Sequence, residues 1–81
     1  MQIRILVVDD EQDNCDYLKL VLMREGYDVV TTTDPTKTVE ILRSADFHLV
    51  ILDMMMPRMG GYPVLEHFKG KPDAPPIVMI R

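Results

Sequence analysis

The stretch LVILDMMMP, residues 49–57, leads an apolar run directly into a carboxylate, Asp53. An earlier stretch, ILVVDDE at residues 5–11, does the same with Asp9 and Asp10. Both runs are of strand length, and their apolar residues are nearly continuous rather than alternating with polar ones. Such runs are typical of strands that are covered on both faces, as in a parallel sheet flanked by helices.

The rest of the chain alternates strand patterns with helix patterns around these two runs. Strands are expected at residues 3–8, 27–33, 48–52 and 77–80, and helices at residues 13–25, from Asp34 onward, and at 63–69. The strand at 27–33 is more polar than the others, as an edge strand would be. A β-α-β-α-β-α-β order with apolar strands predicts one α/β domain, residues 1–81, built on a doubly wound parallel sheet.

The ends and the buried faces of the helices can also be predicted. Gly26 stands where a helix C-cap belongs, while Asp34 and Pro35 form a typical helix start. The apolar residues at helical spacing are Cys15, Leu18, Val21 and Leu22 in the first helix, and Val39, Ile41 and Leu42 in the second. We expect each of these faces to cover the sheet.

The composition limits the class of protein and of partner. The chain has 81 residues, 47% of them hydrophobic and 27% charged, which is an ordinary globular balance. Its net charge of −4 disfavours binding to a nucleic-acid backbone and favours a domain that holds a cation or meets a basic partner. One cysteine excludes an internal disulfide, and no apolar run reaches the roughly 18 residues of a membrane span. We therefore expect a cytoplasmic protein without membrane or nucleic-acid contact.

The acidic residues are expected to meet at one edge of the sheet. In open parallel sheets the ligand site lies outside the carboxyl ends of the strands, where Asp9, Asp10 and Asp53 all fall. Converging carboxylates repel one another unless a cation neutralises them, and a few hard oxygen ligands open to water suit Mg²⁺. A carboxylate beside such an ion can act as a nucleophile and form an acyl phosphate. Taken alone, the DDE motif is better explained as a solvated turn and helix cap. A metal site is favoured only because Asp53 stands at the end of a neighbouring strand.

Three segments together resemble a known family. They are ILVVDDE, then LVILDMMMPRMGGYPVL at residues 49–65, then PPIVMI at residues 75–80. In spacing and in residue type they resemble the receiver domain of bacterial two-component response regulators, over the whole chain. The resemblance implies a flavodoxin-like (CheY-like) sheet with strand order 2-1-3-4 and three helices. It also implies that the domain takes a phosphoryl group from a histidine kinase or phosphotransfer protein, with Mg²⁺ required.

The same resemblance assigns roles to individual residues. Asp53 would be the phosphoacceptor and also a Mg²⁺ ligand, Asp10 a direct Mg²⁺ ligand, and Asp9 a ligand acting through a water. Met55 would offer its backbone carbonyl to the metal, while the flanking Met54 and Met56 would pack. The domain would not be an enzyme, beyond catalysing its own Mg²⁺-dependent phosphorylation.

The chain departs from the family pattern at its C-terminal end. Receivers have five strands, and this sequence ends at the fourth. The threonine or serine that normally follows strand four would fall at Arg81 or just past it, and the lysine after strand five has no counterpart. We therefore expect a truncated receiver with an exposed fourth strand. It would either self-associate by edge pairing or domain swapping, or be an incomplete piece whose missing part lies elsewhere.

Two alternatives compete with a phosphoacceptor module. A receiver fragment without these two side chains could serve as a non-phosphorylated dimerisation or protein-interaction module. An enzyme of the same sheet class is disfavoured, because the acidic loop DDEQDN would repel the phosphate of a flavin, and Met55 stands where a haloacid-type phosphatase needs a second aspartate. His48 and His67 lack metal-ligand spacing, and we interpret them and Cys15 as surface or packing residues.

Overall fold

The computed structural model describes residues 2–53 and 75–80. The elements in these ranges are β1 (Arg4–Val8), α1 (Gln12–Arg24), β2 (Asp28–Thr32), a 3₁₀ turn (Pro35–Lys37), α2 (Thr38–Ser44), β3 (Leu49–Asp53) and β4 (Ile77–Ile80). They follow the predicted order, with strand ends within about one residue of those expected from the sequence. The helix predicted at residues 63–69, together with Met55, His67 and Arg81, lies outside the described residues.

The four strands form one parallel sheet in the order β2-β1-β3-β4. This arrangement confirms the expected flavodoxin-like sheet, and among the strands of residues 2–53 and 75–80, β2 lies at an edge as its polar sequence indicated. Val8 of β1 pairs with Thr32 of β2 and with Leu52 of β3, while Asp53 pairs with Ile80 of β4. The strands therefore finish in step, and the residues that follow them share one edge of the sheet.

The core lies on both faces of the sheet, because successive strand residues point to opposite sides. One cluster contains Leu6, Val8, Val50 and Leu52, with Ile41 and Leu42 of α2 packed against it. The other contains Ile5, Val7, Cys15 and Val29, with Leu18 and Leu22 of α1 packed against it. The continuous apolar runs of β1 and β3 are thus explained by helices on both faces, as a doubly wound sheet requires.

The end of α1 confirms the predicted glycine cap. Gly26 has a φ of +91°, a conformation that side chains with a Cβ rarely adopt. Its N–H donates to the carbonyl of Met23 at 3.0 Å, and the N–H of Tyr27 donates to the carbonyl of Leu22 at 3.2 Å. This pair of bonds is the Schellman arrangement, which satisfies the last carbonyls of the helix. The prediction for Val21 was wrong, because its side chain is exposed while Leu18 and Leu22 pack on the core.

The start of the second helical segment confirms its cap but shifts its buried face. The carboxylate of Asp34 accepts from the N–H of Thr36 at 3.0 Å, with Pro35 in the first turn. That turn is 3₁₀, so α2 begins only at Thr38. Thr38 is completely buried, and its hydroxyl has no hydrogen-bond partner among the residues that the structure describes. Val39, expected on the buried face, is half-buried and is not among the residues packed against the core clusters.

At the amino ends of the strands, Arg4 contacts the first residue of β2 and the segment that precedes β3. Its guanidinium donates to the carboxylate of Asp28 at 2.8 Å and lies 5.9 Å from the ring centre of Phe47. Its backbone N–H donates to Nδ1 of His48 at 3.0 Å, and the N–H of His48 donates to the carbonyl of Arg4 at 2.8 Å. His48 precedes β3 and is half-buried, with its ring nitrogen accepting from the backbone of β1. In ranges 2–53 and 75–80, no helix is both long and apolar enough to cross a membrane.

Candidate metal centre

Asp9, Asp10 and Asp53 lie together at the carboxyl edge of the sheet. One carboxylate oxygen from each is within 4.8 Å of the other two. The register explains this proximity, because Val8 pairs with Leu52 and each is followed directly by one of the acids. The predicted convergence of the three carboxylates is therefore what the structure shows.

The three acids differ in their access to water. Asp9 is 2% exposed and Asp53 is 5% exposed, while Asp10 is exposed. The carboxylates of Asp9 and Asp53 are therefore buried, and that of Asp10 lies on the solvent side of the cluster. An ion bound there would keep part of its hydration shell, which is the usual mode of binding for Mg²⁺.

The backbone around Asp9 is held by three hydrogen bonds. Its N–H donates to the carbonyl of Thr32, at the end of β2, at 3.2 Å. Its carboxylate accepts from the N–H of Glu11 at 2.9 Å, which turns the chain into α1. Its carbonyl accepts from the Cys15 thiol at 3.4 Å, and the same sulfur lies 3.8 Å from the carbonyl of Thr32. Asp9 is thus tied to β2 and α1 as well as to its own strand.

Burial raises the pKa of the Asp9 carboxyl above its ordinary value, and the negative charge of Asp53 raises it further. Hydrogen bonds from the N–H of Glu11 and from the side chain of Asn14 act in the opposite direction. Burial likewise raises the pKa of the Cys15 thiol, with the charge of Asp9 adding to the effect. A cation among the carboxylates would remove the penalty that Asp9 pays for ionisation.

The donor set fits a small hard cation. Carboxylate oxygens are the ligands that Mg²⁺ prefers, and the described residues bring no histidine or thiolate ligand atom into the cluster. Asp53 ends β3, which lies between β1 and β4, and its carboxylate adjoins those of Asp9 and Asp10. The arrangement can therefore hold a divalent ion and present a carboxylate nucleophile next to it.

The sequence did not indicate the contact of Cys15 with Asp9. Cys15 was interpreted only as a packing residue of α1. Its position one helical turn after Glu11 places it near the loop that joins β1 to α1, but this spacing does not specify its distance from the carbonyl of Asp9. The prediction for Met55 stays untested, since it lies outside the described residues.

A family model described as the response regulator receiver domain matches residues 5–81 of this chain. Among curated proteins, Response regulator RR06 of Streptococcus pneumoniae is 39% identical over 75 residues, which cover 93% of this chain and 35% of that protein. Response regulator SaeR of Staphylococcus aureus is 40% identical over 65 residues, which cover 80% of this chain and 28% of that protein. The chain thus spans about a third of the length of these relatives.

Solved structures give the same family. The N-terminal domain of a response regulator receiver protein from Methanoculleus marisnigri superposes with a TM-score of 0.87 at 35% identity, covering 96% of this chain and 65% of that one. The response regulator TrrA of Thermotoga maritima, solved in complex with Mg²⁺-BeF, gives 0.85 at 35% identity, covering 98% and 68%. TrrA solved in complex with the histidine kinase ThkA gives 0.84. The sheet order, the family match and the relatives agree, and the chain belongs to the response regulator receiver domain family.

Proposed function

We propose that this domain accepts a phosphoryl group on Asp53 as part of a two-component phosphorelay, with residues 1–81 acting as one receiver unit. The observation that carries the proposal is the position of Asp53 at the end of β3, with ligand atoms of Asp9 and Asp10 within 4.8 Å. In the transfer, the phosphorus–nitrogen bond of a phosphohistidine breaks as a carboxylate oxygen of Asp53 bonds to phosphorus. The imidazole nitrogen keeps the electron pair of the broken bond.

We further propose Mg²⁺ as the ion of this site, with Asp10 and Asp53 as direct ligands and Asp9 acting through a water. Met55 would add its backbone carbonyl. The exposed position of Asp10 and the burial of Asp9 support this division of roles. When bound, the ion supplies positive charge that offsets the carboxylates and the phosphoryl oxygens. TrrA, which is similar to this chain, was solved with Mg²⁺-BeF.

The proposed donor is a histidine kinase or a phosphotransfer protein. TrrA has been solved in complex with a histidine kinase, and it is 35% identical to this chain. In addition, α1 begins beside the acidic cluster and exposes apolar side chains, with Tyr17 67% and Leu20 54% exposed. We propose that this outer face of α1 meets the donor. A cytoplasmic location and the absence of nucleic-acid contacts stay predictions from the composition.

The proposal predicts phosphorylation of the purified domain by a small-molecule donor. The protein would be incubated with Mg²⁺ and acetyl phosphate, and its intact mass measured. Wild type and Asp46→Asn, a change at an exposed acid outside the cluster, should each gain the mass of one phosphoryl group. Asp53→Asn should gain none. Uptake by Asp53→Asn, or none by a folded wild type, would refute the assignment of Asp53.

A second candidate function is a protein-interaction module that acts through β4. Val78 is 48% exposed and Met79 is 42% exposed, although both belong to an apolar strand. Within the described part of the chain, β4 pairs with β3 and with no other strand. We propose that β4 mediates self-association, and this candidate does not require phosphorylation.

A further inference from the structure

The Cys15 side chain lies at the junction of three elements next to the acidic cluster. It is completely buried on α1, and its sulfur lies 3.4 Å from the carbonyl oxygen of Asp9 and 3.8 Å from that of Thr32. Asp9 itself donates its N–H to the same carbonyl of Thr32 at 3.2 Å. The thiol therefore joins the first turn of α1 to the ends of β1 and β2.

The Cys15 thiol donates to the carbonyl of the peptide group that connects Asp9 and Asp10. The carbonyl of Asp9 belongs to the planar peptide unit shared with Asp10, so fixing this oxygen fixes the orientation of the whole unit. That orientation sets the direction in which both side chains leave the backbone. Asp10 is exposed, and a held backbone limits the region that its carboxylate can reach.

We infer that Cys15 is a positioning residue for the metal site: its thiol holds the peptide between Asp9 and Asp10 so that both carboxylates converge with Asp53. This inference rests on the proposed function, in which these acids bind Mg²⁺. Outer contacts that orient metal ligands typically contribute 10–100-fold in metal affinity. Because a thiol is a weak donor, we expect an effect near the lower limit, about tenfold.

A packing role for Cys15 makes a different prediction. The residue belongs to a buried cluster with Ile5, Val7 and Val29, where a hydroxyl is less favourable than a methyl group. If only packing mattered, Cys15→Ala would be tolerated better than Cys15→Ser. If the donor matters, Mg²⁺ affinity should follow the opposite order, because serine keeps an O–H that can donate to the carbonyl of Asp9.

The test is a calorimetric Mg²⁺ titration of the full chain, run where circular dichroism shows each variant to be folded. Cys15→Ala and Cys15→Val both remove the donor, and valine also keeps the cluster filled in case alanine unfolds. Each should weaken Mg²⁺ binding by about tenfold, while Cys15→Ser should stay within about threefold of wild type. Val29→Ala, in the same cluster, is the matched control and should bind as wild type does.

The outcomes separate the inference from the function on which it rests. Binding by Cys15→Ala and Cys15→Val equal to that of wild type would overturn the role of the thiol and leave the Mg²⁺ site in place. An equal loss in Val29→Ala would show that core packing, and not the hydrogen bond, controls affinity, and would also overturn it. Absence of Mg²⁺ binding by folded wild type would overturn the proposed metal site and the inference together.

Discussion

Asp9 is a carboxylate held almost completely out of water, and its surroundings oppose its own ionisation. Burial and the neighbouring Asp53 both raise the pKa of Asp9, and the N–H of Glu11 compensates only in part. A structure optimised for stability alone would replace this acid with a neutral side chain. The cost is reasonable if a cation normally occupies the cluster, because the ion reverses the sign of the local potential.

The residue scale gives a prediction for Asp9→Asn. Without Mg²⁺ at neutral pH, this variant should be more stable than wild type by about 1–3 kcal/mol, the size of like-charge repulsion near 5 Å between the aqueous and protein-surface limits. The amide oxygen of asparagine can still accept from the N–H of Glu11, so the loop is kept. Urea unfolding in a chelator measures the difference, and Asp46→Asn serves as the exposed control.

The free energy of unfolding of the wild type should also change with pH in a definite direction. Because the pKa of Asp9 in the folded state is raised from 3.8, the folded protein binds the proton more tightly than the unfolded chain. This group therefore makes stability fall as pH rises from its ordinary value through the raised one. The fall should be smaller in Asp9→Asn and in saturating Mg²⁺. A Mg²⁺-free Asp9→Asn that is less stable than wild type at neutral pH would contradict the explanation.

The elements show how far periodicity predicts packing. The strands and their order followed from apolar runs, because both faces of β1 and β3 had to be buried. The faces of the helices were less predictable. In α2, Ile41 and Leu42 pack on the core as expected, but the residue one turn earlier on the same face is Thr38 and not Val39. A buried threonine does not stand out in an apolar pattern, so the apolar spacing alone favoured Val39.

The acidic cluster was more predictable than the helix faces, because strand register alone brings Asp9 beside Asp53. Its supporting contacts were not. The bond from Cys15 to the carbonyl of Asp9 depends on how closely α1 approaches the end of β1, and spacing along the chain does not specify that distance. A sequence pattern identifies candidate ligands, while the packing of elements determines which contacts hold them in place.

The element scale also gives a prediction for Gly26→Ala at the end of α1. An added Cβ meets no atom within 4 Å, so any loss of stability reports backbone strain at φ +91° and not a clash. We expect a loss of about 1–2 kcal/mol, the cost of a left-handed conformation for a residue with a Cβ. Glu25→Ala, at a φ of −86°, is the matched control and should change stability by less than about 0.5 kcal/mol. Equal effects in both variants would show that Gly26 is not required for the cap.

At the scale of the whole molecule, the sheet is covered unevenly. The residues of β1 from Ile5 to Val8 are buried on both faces by α1 and α2. On β4, by contrast, the adjacent Val78 and Met79 point to opposite faces, and both are exposed. Among the described strands β4 lies at an edge of the sheet, and an edge strand with exposed apolar side chains is a template for pairing with another chain. Within residues 2–53 and 75–80, the ends of β1 and β3 are therefore buried, while β4 carries two exposed apolar side chains.

This asymmetry predicts concentration-dependent self-association through β4. Gel filtration with light scattering should give a mass above that of the monomer at high protein concentration. Val78→Lys and Met79→Lys should shift the mass toward the monomer, because a charged lysine on such a strand opposes pairing. Tyr17→Lys changes a still more exposed apolar residue on α1 and should leave the association intact. A monomeric wild type at every concentration would exclude self-association, and a monomeric Tyr17→Lys would instead place the contact on α1.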